Sequence, residues 1–149
     1  MLCRVLAIDL ASRTGWCVAD AERTVSGTVD FTPRGKLDPA TKHALIFDRA
    51  SSWLSDMIDT YHPTVCALED STGRTLQGQA ARVLLGLRAV ALVVLHRREV
   101  LVDPVANTTW KAWATRRGWR LCDKSDEQDA RWLALYWQAE RAGLVREAA

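Results

Sequence analysis

The stretch "RVLAIDLASRTGWCVAD", residues 4–20, ends an apolar run with a single carboxylate, Asp9. Residues 5–8 are continuously apolar, the pattern of a strand that is buried on both faces of a sheet. A carboxylate next to such a strand loses solvation as the strand is buried. It therefore needs either a bound cation or a position at a strand end, where its side chain points into a cleft.

Hydrophobic spacing on either side of this stretch predicts strands and helices within one domain that spans residues 1–149. The last predicted helix has the clearest start, because Ser125 and Gln128 form a capping box, and Gly143 stands where that helix would end. The predicted strands cover 3–9, 14–20, 23–31, 63–69 and 99–104, and the predicted helices cover 40–61, 76–98, 106–118 and 126–142.

Cysteine and histidine residues show no spacing typical of a metal site or of a disulfide framework. Cys3, Cys17 and Cys66 lie in apolar strand-like runs, which favours buried free thiols in a reducing compartment. No signal peptide opens the chain, and the apolar run "AVALVVL" at 89–95 is shorter than a membrane span. We therefore expect a cytoplasmic protein without a membrane partner.

The net charge of +2 conceals a basic middle segment. Residues 1–73 carry seven basic and ten acidic side chains, whereas residues 74–131 carry eleven and six. Sixteen of the twenty cations are arginine, which suits bidentate phosphate contacts. Such an excess fits a solvated surface as well as a nucleic-acid-binding face. The candidate DNA contacts are Arg74, Arg82, Arg88, Lys111, Arg116, Arg117, Arg120 and Lys124.

Four acidic side chains fall at the ends of predicted elements. Asp9 and Glu69 each end a strand, and Asp126 and Asp129 project from one side of the first turn of the last helix. Acids in a first turn are also favoured by the helix dipole alone. If all four carboxylates converge, they repel one another, and a divalent cation relieves that repulsion. Oxygen ligands favour Mg²⁺ or Mn²⁺, and two such ions about 4 Å apart suit phosphodiester hydrolysis.

Taken in order, these segments resemble the RuvC-type Holliday junction resolvases of the ribonuclease H-like superfamily. The matching stretches are "AIDLASRTGWCV" (7–18), "CALED" (66–70) and "DKSDEQDARWLAL" (123–135). The resemblance implies an α/β, ribonuclease H-like fold with a mixed five-stranded sheet flanked by helices. It also implies that Asp9, Glu69, Asp126 and Asp129 ligate two Mg²⁺ ions, for which Mn²⁺ can substitute. Lys111, in "DPVANTTWK" (103–111), matches a family lysine near the scissile phosphate.

The same resemblance implies an activity and an assembly. The protein would be a Mg²⁺-dependent crossover junction endodeoxyribonuclease that acts in DNA recombination and repair and needs no nucleotide cofactor. It would cut four-way DNA junctions by paired symmetric nicks that leave 5′-phosphate and 3′-hydroxyl ends. A homodimer would present two active sites to the junction, with the apolar helix at 76–98 contributing to the interface.

Two segments depart from the bacterial pattern of this family. "DLAS" (9–12) stands where bacterial members usually have a proline and a glycine, and it looks more like forms found in phage and mobile-element genomes. "DSTGRTLQ" (70–77) lacks the aromatic residue that bacterial members place at the junction centre. We take Arg74 as the candidate for a DNA contact in its place.

Several residues have a structural and a functional interpretation. Ser12 and Thr14 either contact a phosphate or shape the turn after Asp9, and Asp70 is interpreted as a surface or loop acid. Arg82 and Arg88 are expected on the exposed side of their helix. The tryptophans divide into a predicted core set of Trp53, Trp132 and Trp137 and a set of candidates for DNA contact, Trp110, Trp113 and Trp119.

Other functions stay open on the sequence. A nuclease with the same fold and chemistry could act on flaps, replication forks or RNA:DNA hybrids, and a branched-DNA-binding module that has lost catalysis would keep the same segments. Sugar-kinase and actin-type ATPases have a similar first motif. They need two lobes around a nucleotide, however, and 149 residues leave no room for a second lobe.

Overall fold

A computed structural model describes residues 3–70, 77–120 and 125–143 of the chain. Its centre is a mixed five-stranded sheet in the order β3-β2-β1-β4-β5. β1, β4 and β5 run parallel to one another, and β2 is antiparallel to both β1 and β3. The strands are β1 (Val5–Asp9), β2 (Arg13–Ala19), β3 (Thr24–Asp30), β4 (Val65–Asp70) and β5 (Leu101–Ala106). The mixed sheet predicted from the sequence is confirmed.

The described helices form a layer on each face of this sheet. They are α1 (Pro39–Tyr61), α2 (Gly78–Arg97), α3 (Asn107–Thr115) and α4 (Asp126–Glu140). Leu6 and Ile8 of β1 belong to the core cluster that contains residues of α1 and α2. Val5 and Ala7 belong to the other cluster, with residues of α3 and α4. The continuous apolar run of β1 thus reflects side chains that alternate between two buried faces.

One edge of the sheet, which we call the carboxyl edge, carries the carboxyl ends of β1, β3, β4 and β5. Parallel pairing aligns β1 with β4 and β5, and the antiparallel register places Gly15 of β2 opposite Asp9 and Arg13 opposite Asp30. Since α1, α2 and α3 follow β3, β4 and β5, their first turns also lie toward this edge. The carboxyl edge is therefore where residues from distant parts of the chain meet.

Side-chain caps and one buried anchor set the ends of the helices. Asp38 caps α1 by accepting a hydrogen bond from the Thr41 backbone N–H at 3.0 Å. Ser125 caps α4 in the same way, accepting from the Gln128 N–H at 3.1 Å, as the capping box predicted. The far end of α4 is held by Asp103 of β5.

The Asp103 anchor was missed in the sequence. Its carboxylate is buried and accepts hydrogen bonds from Trp137 Nε1 at 2.9 Å and from Arg141 Nε at 2.6 Å. A second contact joins Arg141 Nη2 to the other carboxylate oxygen at 2.5 Å. This bidentate pair ties the middle of β5 to the end of α4.

The cysteines follow the predicted thiol pattern with one difference. Cys17 and Cys66 are buried free thiols, and burial raises the pKa of Cys17 to about 11 and raises that of Cys66 as well. Cys3 is only half-buried, and its sulfur lies 3.4 Å from Thr64 Oγ1. Cys122 falls outside the described residues.

Helix α2 extends beyond the apolar run at 89–95, and it is apolar on average over its full length. Within the described part of the chain, it is the one helix long and apolar enough to cross a membrane by length and composition. Its inner side, including Leu87, Ala91 and Leu95, packs into the core against β1 and α1. Its outer side exposes Leu85, Leu92 and Val93.

Candidate active site

The four predicted metal ligands lie on three elements at the carboxyl edge. Asp9 ends β1, and Glu69 stands one residue before the end of β4. Ile8 pairs with Leu68 in the parallel ladder, so the next residues, Asp9 and Glu69, reach the edge at the same level. Asp126 and Asp129 lie in the first turn of α4.

The charges of the other three carboxylates act on Asp9. The pKa of Asp9 is raised to about 7, first by burial and then by the negative charges of Glu69, Asp129 and Asp126. Lys111 lowers the pKa of Asp9 but does not cancel these effects. All four carboxylates and the predicted lysine therefore influence the same point at the edge of the sheet.

A buried tryptophan orients Glu69. Trp110, on α3, donates a hydrogen bond from its indole Nε1 to Glu69 Oε2 at 3.0 Å. Both side chains are buried, and the Trp110 ring packs edge-on against Trp119 with ring centroids 5.9 Å apart. Because an indole N–H is a donor only, Glu69 accepts in this contact, which holds its carboxylate in one rotamer.

Asp126 and Asp129 of α4 each have a cation beside them. Lys111 Nζ lies 4.0 Å from Oδ2 of the fully buried Asp129 and 5.0 Å from the centre of the Trp110 ring. Arg13 Nε lies 3.3 Å from Asp126 Oδ2, in a pair that is more exposed to solvent. The structure therefore places Lys111 beside Asp129, and its role stays a prediction.

Arg13 was not predicted. It belongs to the turn that follows Asp9, and it reaches Asp126 because β2 folds back antiparallel on β1. The antiparallel register brings the start of β2 back to the end of β1, and this pairing was not predicted from the sequence.

A glycine allows α4 to approach the sheet at this point. A Cβ atom on Gly15 would lie 1.7 Å from the backbone oxygen of Asp126, which is far inside van der Waals contact. Ser26 of β3 donates a hydrogen bond from Oγ to Glu127 Oε1 at 2.7 Å and holds the same turn of α4 from the other side. The bare backbone at Gly15 therefore sets where Asp126 stands.

The turn between β1 and β2 is shaped by Thr14. Its buried hydroxyl donates to the Ala11 carbonyl at 2.6 Å and is 3.2 Å from the Ala11 N–H, from which it accepts. The structural interpretation of Thr14 is therefore confirmed. The neighbouring Ser12 carbonyl accepts from the Phe31 N–H at 2.9 Å, which ties the end of β3 to this turn.

The side chains fit a divalent cation by chemistry more than by their present arrangement. Within residues 3–70, 77–120 and 125–143, no group of three or more His, Cys, Asp or Glu side chains stands so that it could hold a metal ion. The donor set is nevertheless all oxygen, and the mutual repulsion that raises the pKa of Asp9 is what a divalent cation would relieve. Asp9, Glu69, Asp126 and Asp129 are the residues that would hold such a cation, and Asp126 and Asp129 are at present paired with Arg13 and Lys111.

The predicted DNA-binding arginines of α2 differ in their surroundings. Arg82 is exposed near the start of the helix. Arg88, which was expected on the exposed side, is instead half-buried, and its Nη1 lies 3.2 Å from Asp70 Oδ1. Asp70 is accordingly part of an ion pair at the end of β4. Arg74 falls outside the described residues.

The remaining basic candidates lie beyond the end of α3. Arg116, Arg117 and Arg120 are all exposed. The Arg117 guanidinium stacks 3.9 Å from the centre of the Trp113 ring and lies 3.8 Å from Glu140. Glu140 ends α4, so it is about 21 Å along the helix from Asp126. Arg117 is therefore not brought to the carboxylates, and Lys124 falls outside the described residues.

The prediction of DNA contacts for Trp110, Trp113 and Trp119 is wrong. All three are buried in the core between the sheet, α3 and α4. Trp113 Nε1 donates to Glu140 Oε1 at 2.7 Å, which gives its polar atom a partner inside the protein. The core assignment is confirmed for the other set, since Trp137 is fully buried and Trp53 and Trp132 pack against the core.

Comparison with known proteins finds similarity at the level of structure. No family model and no curated protein matches the sequence. The Thermus thermophilus RuvC structure in complex with a Holliday junction substrate superposes with a TM-score of 0.68 at 16% identity, covering 89% of this chain and 91% of that chain. A second Thermus thermophilus RuvC structure gives 0.66 at 15% identity, covering 93% and 96%.

A eukaryotic resolvase has the same architecture. The yeast mitochondrial Holliday junction resolvase Ydc2 gives a TM-score of 0.58 at 13% identity, covering 92% of this chain and 61% of that chain. The predicted likeness to RuvC-type resolvases is thus confirmed in the fold. At these identities the likeness establishes the ribonuclease H-like architecture of the chain and leaves its activity to the chemistry of its own residues.

Proposed function

We propose that this protein is a metal-dependent endonuclease that resolves four-way DNA junctions. The observation that carries the proposal is the mutual influence of Asp9, Glu69, Asp126 and Asp129 at the carboxyl edge of a RuvC-type sheet. Bringing ionised carboxylates together is energetically unfavourable, because each one disfavours the ionised form of the others. In metal-dependent phosphodiester hydrolysis, such carboxylates would bind the divalent cations that the reaction needs.

The roles of the residues follow from their contacts. The four carboxylates are the proposed ligands for two Mg²⁺ or Mn²⁺ ions, which when bound supply the Lewis-acid chemistry of hydrolysis. Trp110 holds Glu69 in one rotamer through its indole N–H. Lys111 and Arg13 lie beside Asp129 and Asp126, where they would contact the phosphate of a DNA strand placed at the carboxylates. The products would carry 5′-phosphate and 3′-hydroxyl ends.

A homodimer is part of the proposal because a four-way junction must be cut on two strands. The outer side of α2 supports it: Leu85 and Leu92 are 58% and 39% exposed and lie seven residues apart, on one face of the helix. An apolar strip of this kind is typical of an interface between subunits. We retain the cytoplasm as the predicted location of such an enzyme.

Two further candidates share the site. Flaps, forks and RNA:DNA hybrids would be cut by the same chemistry, since substrate choice depends on the dimer and on loops around the site. A branched-DNA-binding protein without catalysis is favoured by one observation, namely that in the described residues the carboxylates do not stand as an assembled metal site.

The proposal is tested by cleavage of an end-labelled four-way junction in Mg²⁺, with duplex, flap and RNA:DNA hybrid as parallel substrates. We expect paired nicks near the junction centre and their loss in Asp129→Asn. Asp56→Asn, which changes an exposed acid on α1, is the matched control and should cut normally. Preferential cutting of another substrate would replace the resolvase assignment, and binding without cutting in Mg²⁺ or Mn²⁺ would favour the non-catalytic module.

A further inference from the structure

The connection between β3 and α1 carries exposed cations that the function described so far does not use. Arg34, Lys36 and Lys42, which we call the basic rim, all have exposed side chains, and within the described residues none of them takes part in an ion pair. The acids beside them are engaged locally. Asp38 caps α1, and Asp30 accepts from the Thr32 N–H at 2.8 Å. The positive charge of the rim is therefore presented to solvent.

A groove lies between the basic rim and the first turns of α2. It has a volume of about 380 Å³, and its polar lining comes from Ser12, Thr32, Lys42, His43 and Gln79. Its floor is apolar and includes Leu37, Ile46 and Val83. Lys42 is the cation among the residues that line the groove, and the α2 wall is formed by Gln79, Ala80 and Val83.

The groove opens at the edge of the candidate active site. Ser12, which lines it, is one residue before Arg13 and three residues after Asp9. The hydrogen bond from the Phe31 N–H to the Ser12 carbonyl joins the wall of the groove to the turn that carries Arg13. A polyanion that places one phosphate at the carboxylates therefore meets the basic rim next along this side of the carboxyl edge.

We propose that the groove and the basic rim bind the sugar-phosphate backbone of the DNA strand that flanks the phosphate to be cut, with Lys42 contacting the backbone from the groove wall and Arg34 and Lys36 from the neighbouring connection. This inference rests on the proposed function. The contacts are to phosphates, so they bind DNA without reading its sequence and hold the strand in line with the carboxylates. The rim thus supplies the positive charge near the site that Arg117 does not.

The first test is equilibrium binding of a labelled four-way junction without divalent metal, so that no strand is cut. The variant is Lys36→Gln with Lys42→Gln, and its control is Arg23→Gln with Arg97→Gln. The control removes two exposed cations at the other ends of β3 and α2 and changes the net charge by the same amount.

We expect the rim variant to bind the junction at least about tenfold more weakly at ~0.1 M salt. The slope of log K against log salt should also fall by about 2, one for each lost phosphate contact. The control should match wild-type protein in both measurements. Equal effects of the two double variants would overturn the inference, because net charge alone would then explain them.

A second measurement locates the contact on the DNA. Single phosphates on either side of the cut site are replaced by uncharged methylphosphonates, and the binding of each junction is compared between wild-type protein and the rim variant. A phosphate that touches the rim should weaken wild-type binding but have little further effect on the variant, since the interaction is already lost. Additive losses at every flanking phosphate would overturn the inference.

The outcomes separate this inference from the function on which it rests. If wild-type protein prefers and cuts the junction but the rim variant behaves like its control, only the inference about the basic rim is overturned. Wild-type protein that binds neither junction nor duplex overturns both. Wild-type binding that depends on the rim but is not followed by cutting in Mg²⁺ or Mn²⁺ supports the groove and removes the catalytic assignment.

Discussion

Asp9 is the residue on which burial and neighbouring charge act in the same direction, raising its pKa to about 7. Because the pKa of the folded state exceeds the unfolded value of about 4, the ionisation of Asp9 opposes folding. Below about pH 4, Asp9 is neutral and the free energy of unfolding is not lowered by its burial. That stability is lost as Asp9 ionises when the pH rises through 7. We propose that a bound divalent cation compensates this unfavourable charge of Asp9.

We predict that Asp9→Asn stabilises the metal-free protein at pH 8 by about 2–4 kcal/mol, because the amide removes a buried charge that its neighbours repel. The gain should shrink as the pH falls from 7 and vanish near pH 4. Chemical unfolding at several pH values in a chelator measures it, with Asp56→Asn as an exposed control. A variant that is less stable than wild-type protein at pH 8 would show that Asp9 is paired instead of repelled.

Trp110→Phe tests whether the indole N–H positions Glu69. The phenyl ring keeps most of the packing but removes the donor, so we expect activity in Mg²⁺ to fall by about tenfold and stability by about 1–3 kcal/mol. Trp113→Phe is the matched control, since its N–H serves Glu140 at the other end of α4. It should lose a similar amount of stability and keep its activity. Equal activity losses in the two variants would leave Trp110 with a packing role only.

The site residues were predictable to different extents. Asp9 and Glu69 stand out in the sequence because each interrupts an apolar run where a buried strand must end. Trp110 and Arg13 carry no such signal, because their roles depend on which side of a helix faces the sheet and on the register of a hairpin. The tryptophans between the basic residues of α3 were misassigned for the same reason. Aromatic rings near arginine fit a buried core as well as a DNA-binding surface.

Among the elements, α4 depends most on contacts at its two ends. Its first turn lies against the bare backbone of Gly15, and its last turn is joined to β5 through Asp103 and Arg141. The two contacts set the height of the helix over the sheet and therefore the positions of Asp126 and Asp129. The β2–β3 hairpin contributes to the same placement, because Gly15 of β2 and Ser26 of β3 both contact the first turn of α4.

Gly15→Ala should push the first turn of α4 away from β2, because its Cβ would overlap the Asp126 carbonyl. We expect a loss of stability of about 1–3 kcal/mol and a loss of activity larger than tenfold, since metal ligands tolerate little displacement. Circular dichroism and cleavage assays measure the two effects. Gly143→Ala, which meets no atom within 4 Å, is the control. Full activity in Gly15→Ala would mean that the start of α4 is not fixed by this contact.

The elements themselves were the most predictable level of the structure. The helix predicted over 40–61 is found at Pro39–Tyr61, and the run at 3–9 gives the strand Val5–Asp9. The capping box placed the start of α4 correctly, whereas its end at Glu140 comes two residues before the predicted one. Local spacing and caps carry this information. The mixed five-stranded sheet was predicted only through the resemblance to a known fold, and the order of its strands was not predicted.

For the whole molecule, the central expectation is that two subunits act on one junction. The apolar outer side of α2 is exposed in the single chain, although its inner side is in the core. Sequence periodicity indicates a helix that becomes apolar all round towards its end, which fits a central position in the domain as well as an interface between subunits.

Leu85→Lys combined with Leu92→Lys should convert a wild-type dimer to monomers, because charges would replace the apolar centre of the strip. Sedimentation equilibrium over a range of concentrations measures the change. Leu135→Lys, at a 49% exposed leucine of α4, controls for the loss of an exposed leucine and should leave the dimer intact. A double variant that stays dimeric would place the interface elsewhere.

The most direct test of the central claim is the cutting of a supercoiled plasmid that extrudes a cruciform, with Mg²⁺ present and the products separated by their form. A dimeric resolvase that cuts two strands within one binding event should give linear plasmid from the start of the reaction, and Asp129→Asn should give none. Nicked circles that accumulate without linear product, or equal nicking of a plasmid without the cruciform, would contradict the assignment of this protein as a junction resolvase.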